Sequence, residues 1–307
     1  MGSTVICSDV FEEHDTGRRH PERPDRVEVI RKGYRNITDP PWVLEEPERK
    51  ATFEEICYYH SEEYVRRVEK AADQGQSLDA DTPTSPRSYE VARLAAGSAL
   101  KLTDDGFEGG TSGFGAIRPP GHHAEAEQGM GFCLFNNIVL AAEHVARRDR
   151  TVAIVDIDVH HGNGTQDAFY DRDDVLYVSL HQSPFYPGTG RENETGTGDG
   201  EGYTLNVTLS AGSDWGTLER RWDQEIRDRV YEFNPDFLMV SAGFDAHRTD
   251  PIGGLNLTDG DYERIARDLN RWSRELCEGR LIGLLEGGYN LETLKRVVPS
   301  FTKNLLE

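Results

Sequence analysis

The 307-residue sequence has few cysteines and no long apolar run. Its four cysteines are widely spaced and form no Cys-x-x-Cys pair, which favours buried thiols over a disulfide framework. No apolar run approaches the ~20 residues that a membrane-spanning helix needs. The first residues also lack the basic and apolar segments of a secretory signal. We therefore expect a soluble, cytoplasmic protein.

Basic residues are also scarce relative to acidic ones, so the formal net charge is −21 and the isoelectric point is near 4.9. Arginine and lysine form no basic stripe, which argues against direct binding to the phosphates of nucleic acid. Only six lysines are present, whereas arginines and acidic residues are plentiful. Such a balance suits a protein kept soluble in concentrated salt, and we infer a halophilic source.

The sequence contains neither a Pro/Gly/Ser-rich linker nor a repeat with a period of about 20 to 50 residues. We therefore predict one domain over residues 1–307. Apolar runs typical of buried strands recur along the chain between helical patterns, which indicates an α/β fold. The predicted strands are 4–7, 112–117, 151–155, 175–180, 203–209, 237–241 and 281–285. The predicted helices are 26–34, 54–72, 88–102, 137–146, 215–233 and 258–277, and 165–169 is predicted to begin a further helix.

The most informative stretch is 152–166, which reads VAIVDIDVHHGNGTQ. A short strand is followed by Asp156, Asp158 and His160 at alternate positions, which an extended chain directs to one face. A single such residue would usually be a turn or cap residue. Two carboxylates on one buried face are costly unless a cation lies between them, and a divalent metal is the commonest such cation.

A further candidate ligand follows the predicted strand 237–241. Asp245 comes two residues after Gly243, at the end of an apolar strand, and has no obvious structural partner. We expect it at the same edge of the sheet as Asp158 and His160. A catalytic zinc site typically has three protein ligands and one open position. The residues therefore predict a metal site formed by Asp158, His160 and Asp245.

Other polar and aromatic residues also follow strands. His122 and His123 come after the strand 112–117, although a His-His pair alone is more often a surface or capping feature. The two glycines before Tyr289 would allow this side chain to point into the site. Glycines around Phe132 allow close backbone approach, and the 185–190 loop carries an aromatic pair that could line a pocket.

Seven motifs in order resemble the histone deacetylase family, including its bacterial and archaeal members similar to acetylpolyamine amidohydrolases. They are HPERPDR at 20–26, RPPGHHA at 118–124, GFCLFNN at 131–137, DIDVHHGNGTQ at 156–166, FYPGTG at 185–190, SAGFDAH at 241–247 and EGGYN at 286–290. The resemblance implies one deacetylase catalytic domain with the three-layer arginase-deacetylase α/β fold, in which helices cover both faces of a mostly parallel central sheet.

The resemblance also implies roles for individual residues. One Zn²⁺ ion would be bound by Asp158, His160 and Asp245. The proton-transfer pair would be His122 and His123, oriented by Asp156 and Asn163, and Tyr289 would polarise the substrate carbonyl. Many relatives have Asp at position 163. The amide, which resembles class II-like members, should leave the second histidine less readily protonated.

Two further sites follow from the same resemblance. The walls of a narrow acyl-lysine channel would be Gly131, Phe132 and Tyr186, with Ile252 where members that prefer acetylpolyamines can carry an acidic residue. A structural K⁺ site would use, mainly through backbone oxygens, Asp156, Asp158, His160, Ser179 and Leu180.

The predicted reaction is zinc-dependent removal of acetyl groups from acetyl-lysine in proteins or peptides by metal-activated water. Acetylpolyamines or other small acylated amines remain possible substrates. Asp79 and Asp81 lie in a loop that could reach the rim of the channel, where negative charge would attract a polycation. Two other classes are a dimanganese ureohydrolase on the same fold and a catalytically silent acyl-lysine binder. The His pair and Tyr289 fit a ureohydrolase poorly. A silent binder would not need the full set of catalytic residues that this sequence contains.

Overall fold

A computed structural model describes residues 2–307 of the chain. Its centre is one eight-stranded sheet in the order β2-β1-β3-β8-β7-β4-β5-β6, and all neighbouring strands are parallel. The strands are β1 (Ser3–Ile6), β2 (Trp42–Glu45), β3 (Gly113–Gly115), β4 (Val152–Asp156), β5 (Val175–Gln182), β6 (Thr204–Leu209), β7 (Phe237–Ala242) and β8 (Leu281–Leu285).

Helices and loops cover both faces of this sheet. Every residue of β4, β5, β7 and β8 is buried, as expected for central parallel strands whose two faces are both packed. The helices are α1 (Asp25–Tyr34), α2 (Phe53–Ile56), α3 (Glu62–Gln74), α4 (Ser88–Gly109), α5 (Asn137–Ala146), α6 (Asn163–Phe169), α7 (Trp215–Arg220), α8 (Arg227–Phe233), α9 (Asp259–Leu276) and α10 (Leu291–Leu306). None of the helices in residues 2–307 combines the length and apolar character needed to cross a membrane.

The seven predicted strands are all present, but β2 and α10 were not predicted from the sequence. In β2, which lies at the sheet edge, Val43 and Leu44 are 58% and 46% exposed, so its pattern is not that of a buried strand. Pro299 lies inside α10 and interrupts the helical signal. It packs closely on Gly33 of α1, where a Cβ would lie 2.8 Å from the proline Cγ.

The helix predicted over 54–72 was wrong in one respect, because the chain forms two helices there. Thr52 forms a capping box with Glu55 at the start of α2, and the Ser61 hydroxyl accepts a hydrogen bond from the Tyr64 N–H at the start of α3. The predicted helix 215–233 is continuous but includes a π-helical segment, Arg221–Ile226, between α7 and α8.

The sheet order places the ends of β8, β7, β4 and β5 side by side. The loops that follow these strands therefore meet at the carboxyl edge of the sheet, where parallel α/β sheets carry their functional groups. The strand β4 ends at Asp156, so Asp158 and His160 lie in the following loop and not on the extended strand that the alternation predicted. The helix α6 then begins at Asn163, two residues earlier than expected.

Candidate active site

Three buried side chains converge at the carboxyl edge of the sheet. One ligand atom from each of Asp158, His160 and Asp245 lies within 4.8 Å of the others. The Nδ1 atom of His160 lies 2.9 Å from Oδ1 of Asp158 and 3.2 Å from Oδ2 of Asp245. Ligands at ~2.0–2.1 Å from a tetrahedral zinc are about 3.3 Å apart, so this spacing fits one small divalent cation.

Backbone groups fix the two carboxylates of this cluster. The Val159 N–H donates to Oδ1 of Asp245 at 2.8 Å, and the Gly287 N–H donates to Oδ2 of Asp158 at 2.7 Å. Gly287 and Gly243 also leave the space that the carboxylates fill. A Cβ on Gly287 would lie 2.1 Å from Oδ2 of Asp245, and one on Gly243 would lie 2.2 Å from Oδ2 of Asp158.

The electrostatics of the cluster favour a bound cation. Burial and the neighbouring Asp158 carboxylate raise the pKa of Asp245 to about 7. Its buried Oδ2 atom lies 3.2 Å from His160 Nδ1 but makes no hydrogen bond of satisfactory geometry, which is costly for a carboxylate oxygen. A divalent cation held by Asp158, His160 and Asp245 would neutralise both carboxylates and satisfy this oxygen. The three residues therefore fit the zinc that the sequence analysis predicted.

The two histidines of the predicted proton-transfer pair lie beside this cluster, with ring centroids 4.1 Å apart. His122 Nδ1 lies 3.0 Å from Oδ2 of Asp156, whereas His123 Nδ1 lies 2.8 Å from Oδ1 of Asn163. Burial opposes the charged form of His122, but Asp156 and Asp158 override it and raise its pKa to about 10. Burial and the neighbouring His122 lower the pKa of His123 well below its usual value.

Two carboxylates that the sequence analysis did not select hold the loops of the site. Oε2 of the buried Glu286 accepts hydrogen bonds from the N–H groups of Gly121, at 2.7 Å, and His122, at 3.2 Å. Oδ2 of Asp250 accepts from the Tyr289 N–H at 2.6 Å, and its Oδ1 accepts from the Ile252 N–H at 2.9 Å. Glu286 directly follows the apolar strand β8, and this was the available sequence signal for it. Asp250 lies in the loop that follows the apolar strand β7.

A cavity of about 200 Å³ leads to the histidines and the metal cluster. The structure places all four predicted channel residues and Tyr289 in its wall. Aromatic rings dominate this wall, since the phenol ring of Tyr186 lies 5.2 Å from the His123 ring and Phe132 lies 5.9 Å from Tyr289. The lining residues are Asp81, His123, Gly131, Phe132, His160, Phe185, Tyr186, Ile252 and Tyr289. Asp81 and Phe185 are additions to the predicted channel.

A buried ion-pair network, which was not predicted from the sequence, links the 20–26 segment to the site. The Glu22 carboxylate accepts hydrogen bonds from Arg118, with Nη2 to Oε2 at 2.8 Å, and from Arg26, with Nη1 to Oε1 at 3.0 Å. Arg26 also donates from Nε to the Gly288 carbonyl at 2.7 Å. The network thereby supports the backbone just before Tyr289.

The sequence profile of the histone deacetylase domain matches residues 20–305. The chain belongs to the histone deacetylase family. Histone deacetylase 14, chloroplastic, from Arabidopsis thaliana is 39% identical over 273 residues, which are 84% of this chain and 64% of that protein. A probable deacetylase of Archaeoglobus fulgidus is 38% identical over 297 residues, which are 95% of this chain and 82% of that protein.

The crystal structure of the HDA15 HD domain is similar to this histone deacetylase family member with a TM-score of 0.93 and 36% identity. The match covers 99% of this chain and 88% of that one. The predicted family and its arginase-deacetylase α/β fold are therefore confirmed, with a sheet that is wholly and not mostly parallel. The family and the named relatives are deacetylases, which supports the predicted class of enzyme.

The predicted K⁺ site stays a prediction for this histone deacetylase family member. Asp156 and Ser179 are paired across β4 and β5, and Ser179 and Leu180 are buried in β5. The catalytic roles of individual side chains also stay predictions.

Proposed function

We propose that this chain is a zinc-dependent deacetylase that hydrolyses the amide of an acetylated amine, with residues 1–307 forming one catalytic domain. The observation that carries the proposal is the position of the metal cluster and the His pair together at the end of one narrow aromatic cavity. The metal ligands would be Asp158, His160 and Asp245. When bound, zinc supplies Lewis acidity that polarises an amide carbonyl and lowers the pKa of water.

The two histidines have different roles. His123 is neutral beside the Asn163 amide, so its Nε2 can accept the proton of the attacking water and return it to the leaving amine. His122 is paired with the Asp156 carboxylate and stays protonated, so its positive charge stabilises the developing oxyanion. The Tyr289 hydroxyl donates a hydrogen bond to the same oxygen.

The cavity supports acetyl-lysine in a peptide or protein as the substrate. Its aromatic walls suit a methylene chain, and its lining residue Ile252 is apolar. Asp81 favours the second candidate, an acetylpolyamine, because a carboxylate in the cavity wall would attract the further ammonium group of such a molecule. The dimanganese alternative fits less well. Among residues 2–307, Asp158, His160 and Asp245 form the only group of three or more suitable side chains found close enough to share an ion.

A parallel assay separates these substrates. Purified protein would be given an acetyl-lysine peptide, acetylspermidine and acetylputrescine at equal concentration, with and without a chelator. We expect the highest kcat/KM on the peptide and loss of all turnover with the chelator. Preference for acetylspermidine that disappears in Asp81→Asn would establish the second candidate, and no turnover on any acylated amine would contradict the proposed function.

We further propose that the protein acts in the cytoplasm of a halophilic cell. The formal net charge of −21 and the scarcity of lysine support this proposal. Activity and solubility should be higher in molar KCl than in dilute buffer, and indifference to salt would contradict the halophilic assignment.

A further inference from the structure

The amide of Asn163 contacts His123 on one side and a carboxylate on the other. Its Oδ1 lies 2.8 Å from His123 Nδ1. Its Nδ2 donates to Oε1 of Glu125 at 2.7 Å, to the carbonyl oxygen of His123 at 3.3 Å and to the Met130 sulfur at 3.5 Å. All three partners of Nδ2 are hydrogen-bond acceptors, and the Glu125 contact is the shortest and the only charged one.

This arrangement permits one orientation of the amide. Rotation of the Asn163 amide by half a turn would place Oδ1 against the Glu125 carboxylate and the His123 carbonyl, which are acceptors and would repel it. Because Oδ1 faces His123, the hydrogen of the neutral imidazole is on Nδ1. The lone pair is then on Nε2, and this is the nitrogen through which His123 must accept a proton in the cavity.

Other contacts hold the backbone of Glu125 in place. Its carbonyl oxygen is 3.0 Å from Nδ1 of the buried His60, and its N–H donates to the Gln128 carbonyl at 2.8 Å. The His60 ring is itself oriented, because its Nε2 accepts a hydrogen bond from the Asn136 N–H at 2.9 Å. The Glu125 side chain is partly buried and borders a separate surface cavity that also includes Asn163.

We propose that Glu125 is a positioning residue that sets the tautomer of His123 by orienting the Asn163 amide. The proposal rests on the proposed function, in which His123 is the proton acceptor. An aspartate at position 163 would need no such orientation, because both of its oxygens accept hydrogen bonds. Glu125 would then be a like charge next to that carboxylate, so its contribution depends on the amide at position 163.

A double-mutant cycle measures this dependence. Glu125→Ala should lower kcat about 10-fold, the size expected when a hydrogen bond to a charged group is lost. Glu125→Gln should recover most of this loss, because its side-chain oxygen can still accept from Asn163 Nδ2. In an Asn163→Asp background, Glu125→Ala should cause no loss or a gain. Glu127→Ala, which removes a nearby exposed carboxylate, is the matched control and should leave kcat unchanged.

The same loss in both backgrounds would show that Glu125 only supports the local structure and would overturn the proposal, as would full activity of Glu125→Ala. Melting temperature and bound metal of each variant identify any that fail to fold. If Glu125→Ala fails, Glu125→Met, which keeps the side-chain length but removes the acceptor oxygen, replaces it in the cycle, with about a 10-fold loss of kcat expected beside Asn163 and none beside aspartate. A loss for Glu125→Gln in both backgrounds would also contradict the proposal.

A second readout does not depend on turnover. Side-chain ¹⁵N NMR of the metal-bound protein distinguishes the two histidine tautomers, and His123→Gln assigns the signal. We expect the Nδ1–H form in the wild type and a mixture of forms in Glu125→Ala. A wild type with the Nε2–H form would overturn the positioning role. Absence of deacetylase activity with the expected NMR result would instead contradict the proposed function alone.

Discussion

The Nδ1 atom of His160 lies 3.2 Å from Oδ2 of Asp245, although one residue follows β4 and the other follows β7. The two strands are neighbours in the sheet, and the register pairs Asp156 with Ser241. This pairing brings the two loops to the same edge and explains how distant parts of the sequence form one metal cluster.

The space beside the metal ligands requires glycine at position 287. In Gly287→Ala the new Cβ would lie 2.1 Å from Oδ2 of Asp245 and 2.6 Å from Oδ2 of Asp158, so at least one carboxylate must move. We expect metal affinity to fall at least ~10-fold, as for loss of groups that orient metal ligands. Isothermal titration with zinc measures this, and Gly260→Ala, in an open position on α9, should bind zinc like the wild type.

The Tyr289 hydroxyl should matter for turnover and not for metal binding. Tyr289→Phe should lower kcat by ~10²–10³, the usual cost of one oxyanion donor, with an unchanged metal content. Tyr231→Phe is a matched control, because this hydroxyl bonds Glu275 on the surface of α8 and α9. A Tyr289→Phe enzyme that turned over an acetyl-lysine peptide at the wild-type rate would remove Tyr289 from the mechanism.

Asp250 should position Tyr289 through the backbone. Its carboxylate accepts from the N–H groups of Tyr289, at 2.6 Å, and Ile252, at 2.9 Å. Asp250→Asn places an amide donor against one of these donors, so kcat should fall about 10-fold, as when a charged hydrogen-bond partner is lost. The exposed Asp173→Asn is the control. Wild-type kcat in Asp250→Asn would mean that the Tyr289 loop does not need this carboxylate.

The buried Glu22 predicts a loss of stability in acid. Burial opposes its ionisation, but Arg118 and Arg26 override this and lower its pKa from 4.5 to about 2. A carboxyl whose pKa is lower in the folded state stabilises the fold above about pH 4.5, and this contribution is lost as the pH falls towards 2. Denaturant unfolding from pH 6 to pH 2 should show this loss in the wild type, beyond that of other carboxyl groups.

Glu22→Gln isolates the contribution of this carboxylate. At pH 6 the variant should be less stable by ~3–5 kcal/mol, because both arginines lose their buried partner. Its stability should also fall less between pH 4.5 and pH 2 than that of the wild type. Glu28→Gln removes an exposed partner of Lys32 and should cost at most about 1 kcal/mol. Parallel pH curves for Glu22→Gln and the wild type would contradict the assignment.

The sequence could predict the strands and the residues that follow them because these signals are local. An apolar run followed by His-His or Asp-x-Asp-x-His identifies both a strand and its chemical end, and the structure brings Asp158, His160 and Asp245 together as expected. The alternation predicted the right residues for a partly wrong reason, since Asp158 and His160 follow β4 in a loop.

The supporting carboxylates could not be predicted in the same way. Glu286, Asp250 and Glu22 accept hydrogen bonds from backbone groups or arginines in distant loops. Glu286 and Glu22 lie in the motifs and Asp250 does not, but the partners of all three depend on how the loops pack. The pairing of Asn163 with His123 was expected from the resemblance, whereas its second contact, with Glu125, required the three-dimensional arrangement.

Metal content is the most direct measure of the central claim that three side chains share one Lewis-acidic ion. Elemental analysis of the purified wild type should find about one zinc ion per chain, Asp245→Ala should retain little or none, and the exposed Asp173→Ala should bind like the wild type. Two manganese ions per wild-type chain, or undiminished zinc in Asp245→Ala, would contradict the account.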